Sequence, residues 1–140
     1  MPLLNYTTKV PTDRTISEIT KLLTKQGATK VISDFEAGEV SALSFQIILN
    51  GQPINFRLPI DVASVSQVLK NDRVYRDEAH SRRVAWRITK DWVEAQMALL
   101  ATKSVTLPQL FLPYAVDSAG ITLYEKIAMN PEMLLGDGRG

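Results

Sequence analysis

Residues 40–58, VSALSFQIILNGQPINFRL, decide the fold. The central Asn50-Gly51 pair predicts a two-residue type I′ turn, because both middle positions of that turn need positive φ and these residues tolerate it. A two-residue loop fixes the register. Leu49 then faces Gln52, Ile47 faces Ile54, Phe45 faces Phe56 and Leu43 faces Leu58. Three of these four pairs are apolar on both sides. The alternate pairs, Gln46 with Asn55 and Ser44 with Arg57, are polar. The pattern predicts antiparallel strands over 40–49 and 52–58, with one buried face and one wet face.

Working upstream, 30–35 reads as another strand. A three-residue loop, Glu36-Ala37-Gly38, brings Val31 opposite Leu43 on the core side and puts Gly38 in the left-handed bulge position. Before it lies a helix. Thr15 and Glu18 form a Thr-x-x-Glu capping box, Ile16, Ile19, Leu22 and Leu23 recur at helical spacing, and Gly27 serves as the stop. Residues 4–10 read as a first strand closed by Pro11.

Downstream, 61–69 predicts a second helix after Pro59, with Val62, Val65, Val68 and Leu69 on one side. A polar connector, 71–76, leads to a long helix that starts at Asp77 or Glu78 and runs to about Thr102. Thr106, Pro108 and Gln109 signal a short helix that Pro113 ends. Residues 121–127 fit either a strand or a short helix. The expected class is α+β, in the order β-α-β-β-β-α-α, with an antiparallel sheet of about four strands and helices packed on one face. A single domain over 1–130 and a loose tail over 131–140 complete this reading.

The long helix carries RVAWRITKDWVEAQMALL over residues 83–100. At about 100° per residue, Val84, Ile88, Trp92, Ala95 and Leu99 form one apolar stripe. This stripe is expected to face the core. Trp86, Val93, Met97 and Leu100 form a second stripe, roughly a third of a turn or more away. A lone domain needs one such stripe, so the second is either covered by the apolar segment 107–116 of the same chain or exposed as a homo-oligomer interface.

The chain has 140 residues, 45% hydrophobic and 22% charged, with a formal net charge of +1. That balance argues against a general nucleic-acid coat. With no cysteine, thiol catalysis, disulfides and zinc fingers are excluded, and one histidine excludes sites that need several imidazoles. His80 is expected at the surface near a helix start, and its neighbour Ser81 points away from it, so no serine–histidine pair is expected. Asp34, Glu36 and Glu39 read as solvated turn charges. The sequence GDGRG over 136–140 is not followed by a helix and fails as a dinucleotide fingerprint. MPLLNYTTKV lacks the features of a secretory signal, and no apolar run spans a bilayer, so no membrane partner is expected. No cofactor and no catalytic or metal-ligating set is expected.

One cluster remains. Arg73, Arg76, Arg82, Arg83, Arg87 and Lys90 are interleaved with Tyr75 and Trp86. Guanidinium forks bind phosphate and aromatic faces stack bases, so the set is the candidate ligand site; the alternative is a solvated helix face whose arginines pair with the interspersed Asp72, Asp77, Glu78 and Asp91. Arg57 on the wet sheet face is a separate candidate.

RVAWRITKDWVEAQMALL, followed by LPQLFLPYAV and ITLYEKI, resembles a group of small proteins encoded by bacteriophages and integrated mobile elements. TISEITKLLTKQGATKVISDFE through FRLPI is similar to the same group. The resemblance implies a phage-related origin and a bacterial cytoplasmic setting, and brings no catalytic residue. The expected function is a non-enzymatic homo-oligomer that binds an anionic, nucleotide-like ligand, such as a signal of host defence. The alternatives are an accessory protein on nucleic acid and a protein–protein module that inhibits a host factor.

Overall fold

The computed structural model describes residues 2–136. The fold is α+β, with a four-stranded antiparallel sheet and one long helix. Helix α1 is Thr12–Lys25, followed by strands β1 Lys30–Glu36, β2 Glu39–Leu49 and β3 Gln52–Arg57. Helices α2 Val62–Asn71, α3 Glu78–Ala101 and α4 Leu107–Phe111 come next. A 3₁₀ turn, Leu112–Tyr114, leads to β4 Ala115–Val116, then α5 Leu123–Met129 and α6 Glu132–Leu135. Two compact units divide these elements. One comprises Met1–Gly27 with Pro59–Val105, the other Ala28–Leu58 with Thr106–Gly140.

In the sheet unit the strand order is β1-β2-β3-β4. The central hairpin has the expected register: Phe45 faces Phe56, Ile47 faces Ile54, Ser44 faces Arg57 and Leu49 faces Gln52. The Leu58 amide donates to the Leu43 carbonyl at 3.0 Å, which extends the pairing. Asn50 and Gly51 take φ of 51° and 80°, the left-handed pair of the type I′ turn. Leu43, Phe45, Ile47, Phe56 and Leu58 are all buried.

The first hairpin differs from expectation. Its loop has two residues, Ala37 and Gly38, because Glu36 pairs with Glu39. Val31 lies opposite Phe45, not Leu43. The extra residue sits inside β2, where Ser41 is passed over between the Phe35–Val40 and Asp34–Ala42 pairs. One inserted residue inverts the side-chain parity, so a bulge in the strand returns Val31 to the Phe45 side just as a longer loop would.

Residues 4–10 form no strand. Tyr6 and Thr8 amides donate to the Leu3 and Asn5 carbonyls, and Asn5 takes φ of 64°, so the segment turns back on itself. Side chains of the helical unit then hold it. Asn5 Nδ2 donates to Asp91 Oδ2 at 2.8 Å, and the Leu3 amide donates to Asp72 Oδ2 at 3.2 Å. The sheet's fourth strand is β4, which pairs Ala115 with Phe56 and Val116 with Asn55.

Helix α1 starts earlier than its sequence signal. Pro11 occupies the N-cap without a side-chain cap bond, and Thr15 is fully buried inside the helix. Glu18 therefore reaches Arg87 instead of its own backbone. The capping boxes lie later, at Thr106 with Gln109 and at Thr122 with Glu125. The second makes 123–129 a helix, resolving the strand-or-helix ambiguity. Asp61 and Asp77 cap α2 and α3 by accepting the Ser64 and His80 amides. Of the expected tail, 132–135 is helical, and 137–140, which holds most of GDGRG, lies outside the described residues.

The turn between β4 and α5 is organised by one carboxylate. Asp117 accepts the Ala119 and Ile121 amides at 2.9 and 3.0 Å and pairs with Lys126 at 2.8 Å. The Lys126 bond, then the Ile121 amide, holds its pKa down from 3.8 to about 2. Glu18 is likewise held below its usual range, chiefly by its hydrogen bond to Arg87. Depressed carboxylates stabilise the fold above their unfolded pKa and lose that contribution as pH falls through the folded value. The Asp117 contribution is therefore lost between about pH 4 and pH 2. Asp117→Asn is expected to lower the melting temperature at neutral pH and to flatten its acid decline in that window. Parallel decline of wild type and variant would contradict this.

Candidate functional site

Helix α3 decides which sequence-derived site residues are accessible. Trp86 is 0% exposed, and Val93 and Met97 are buried with it. These residues were expected at an oligomer interface with Leu100, which is half-buried. Trp86, Val93 and Met97 are core residues of the chain itself. The stripe expected to face the core is the more exposed one: Ile88 and Trp92 are half-buried, Ala95 is exposed, and Leu99 is 46% exposed. Only Val84 of that set is fully buried. Helices α1 and α2 both pack against α3.

The inversion has a local cause. Thr89 interrupts the Trp86 stripe with a hydroxyl, but that hydroxyl donates to the Ala85 carbonyl at 3.0 Å. A threonine satisfied by its own helix can be buried without a further partner. The bordering cations are also spoken for. Arg87 Nη1 donates to Glu18 Oε2 at 2.6 Å, and Lys90 pairs with Glu94 at 2.5 Å and with Asp91 at 3.9 Å. Long basic side chains cover apolar surface with their stems while the heads pair at the rim.

His80 is not at the surface. It is 1% exposed, and its Nε2 lies 2.6 Å from the Tyr6 carbonyl. A carbonyl only accepts, so Nε2 bears the hydrogen and donates. Nδ1 is left as an acceptor for Arg83 Nη2 at 3.5 Å. The histidine thus pins the N-terminal turn to α3. Ser81 is buried as well.

The expected ligand cluster is therefore not one site. Trp86 is inside the core, Arg83 faces His80, Arg87 and Lys90 belong to ion pairs, and Arg82 lies 3.9 Å from Glu78. Arg57 donates to the Gly120 carbonyl at 3.1 Å. What the structure brings together is Arg76 with Lys70, on one groove at the α2–α3 corner, while Arg73 and Tyr75 lie in the connector beside them in sequence.

The corner is shaped by tight hydrogen bonding. The Arg73 amide donates to Lys70 and the Val74 amide to Leu69, while Arg73 takes φ of 63°. The acidic residues interspersed there are engaged by backbone amides: Asp72 by Leu3 and Asp77 by His80. Beside the corner lies a groove of about 430 Å³, bordered by Ser66, Gln67, Lys70, Arg76 and Glu78 over Val62 and Ala63. Residues 62, 63, 66, 67 and 70 share one face of α2 through their helical spacing. Lys70 and Arg76 make no ion pair among the described residues. Tyr75, the residue before Arg76, is 76% exposed. The sequence reading missed Lys70 and Ser66 because they belong to α2, across the connector from the arginine run.

A second groove, about 290 Å³, lies along α1 and α3 and mixes Glu18 and Glu94 with Lys21, Lys25 and Lys90. Lys90 pairs with Glu94 there, Glu18 turns to Arg87 and Arg14, and Lys21 and Lys25 make no ion pair among the described residues. Among the described residues no cluster of histidine and carboxylate side chains is arranged to hold a metal ion. Among the same residues no helix is long and apolar enough to cross a membrane. No family model matches the chain, and neither a curated protein nor a solved structure matches it.

Proposed function

We propose that this chain is a non-enzymatic, self-associating protein that binds an anionic, nucleotide-like small ligand at the α2–α3 corner. What supports the reading is the unpaired Lys70 and Arg76 at the border of one groove. Arginine supplies a planar fork for phosphate and lysine a mobile point charge. Ser66 adds a hydroxyl to the groove, and Tyr75, the neighbour of Arg76 in sequence, is exposed and could supply a stacking face. The resemblance to phage-encoded proteins supports a setting in the bacterial cytoplasm, with sequestration of a host-defence nucleotide as the role.

Isothermal titration against cyclic and ADP-ribose-type nucleotides tests this. At least one member of the panel is expected to bind. The Lys70→Gln/Arg76→Gln double variant should weaken that binding by about tenfold or more, since each charge-assisted bond is worth about 1.5–3 kcal/mol. Silence across a broad panel, or unchanged affinity in the variant, would contradict the reading.

A further inference from the structure

Strand β1 forms one edge of the sheet, with no strand on its outer side among the described residues. It is seven residues long and carries two exposed apolar side chains, Ile32 and Phe35, the latter 65% exposed. A free edge of this kind presents unpaired backbone groups and invites another strand. The charged residues on it decide which strand is admitted.

We propose that β1 pairs antiparallel with β1 of a second copy, about a two-fold axis at Ser33. This rests on the self-association part of the reading above and is independent of the ligand. The sequence KVISDFE, residues 30–36, is self-complementary about its centre. In that register Lys30 lies opposite the second copy's Glu36, and Val31 opposite its Phe35, each pair occurring twice. Ile32 faces Asp34, and Lys30 is also the diagonal neighbour of Asp34 on the same face. Opposite-charge and apolar cross-strand pairs both stabilise a ladder.

Two further observations favour this occupant. Neither Lys30 nor Glu36 has an ion-pair partner among the described residues. Glu36 is also placed directly opposite Glu39 within its own hairpin, a like-charge cross-strand pair. A lysine brought to Glu36 from outside would add an opposite charge beside that pair. The same charges oppose strands that lack the complement, so the edge is guarded against non-specific pairing. The contact is isologous, so it closes at the dimer. The opposite edge of the sheet ends in β4, only two residues long, which offers little template for further growth.

Sedimentation velocity over a concentration series tests the interface, with Lys30→Glu, Glu36→Lys and the double exchange Lys30→Glu/Glu36→Lys. Wild type is expected to dimerise. Each single reversal sets like charges opposite one another twice per dimer, and should raise the dimer dissociation constant by about tenfold. The double exchange should return it to the wild-type value, which a merely misfolded variant would not do. A wild type that stays monomeric overturns both this interface and the self-association reading. An oligomer of any size that ignores the single reversals overturns the interface alone, as does a double exchange that fails to restore pairing.

Discussion

Trp86→Ala is expected to destabilise the chain by about 3–5 kcal/mol, read as a lower urea midpoint with an unchanged slope. The side chain is fully buried, and removing an indole loses its transfer free energy and leaves a cavity. Small domains are stable by only about 5–15 kcal/mol, so this change removes much of the margin. Trp86→Phe should be far milder. The indole N–H of Trp86 has no hydrogen-bond partner among the described residues, and a buried unsatisfied donor costs about 1–3 kcal/mol. The phenyl ring discards that donor while keeping most of the apolar volume. Trp86→Glu separates two accounts of the helix. In the core it places an unpaired charge where no water reaches, and the chain unfolds. At a subunit interface it would give a folded monomer instead.

Phe45→Ala should be comparably severe, about 3–5 kcal/mol, in the sheet unit. Phe45 stacks on Phe56, with centroids 5.1 Å apart and planes 14° from parallel, and meets Phe111 edge-on at 5.3 Å and 83°. All three rings are buried. Truncating the central ring breaks both aromatic contacts, each worth about 0.5–1.5 kcal/mol beyond area burial. Phe111→Ala breaks only the edge contact of the two. A thermal or denaturant series that ranks Phe45→Ala no lower than Ile48→Ala, a change at an exposed strand position, would contradict this packing.

The legible parts of the fold were those where one local rule acts alone. Asn50-Gly51 admits one turn type, and that turn sets every pair in the central hairpin. Asp77 is a cap followed by a long periodic run, so α3 begins and ends where expected. The misread parts had two local solutions of similar cost. Around Gly38, a three-residue loop and a two-residue loop with a bulge at Ser41 put Val31 on the same face. At Thr15, the capping spacing was present, but the helix extends a turn earlier and buries the hydroxyl. Residues 4–10 have strand propensity, yet the segment closes local turns, and the Asn5 side chain and the Tyr6 carbonyl are held by Asp91 and His80, which are distant in sequence.

The site was legible in kind and not in place. The arginine run and its aromatics are real features of 73–90, but helical geometry distributes them around α3 and tertiary ion pairs consume several. Glu18 neutralises Arg87 from another helix, and no spacing rule links residues so far apart. Lys70 stayed outside the sequence-derived cluster because its neighbour in the groove, Arg76, lies beyond a tight turn. The two stripes of α3 are equally apolar on paper. What separates them is the self-satisfied Thr89 hydroxyl and the paired rims at Arg87 and Lys90, both visible only once the side chains are placed.

The assignment of Trp86 to the protomer interior is tested most directly by its fluorescence in a Trp92→Phe background. Emission from the remaining indole should be blue-shifted, shielded from acrylamide, and constant as the protein is diluted through dimer dissociation. A red shift and new quenching on dilution would place that indole between subunits and contradict the account.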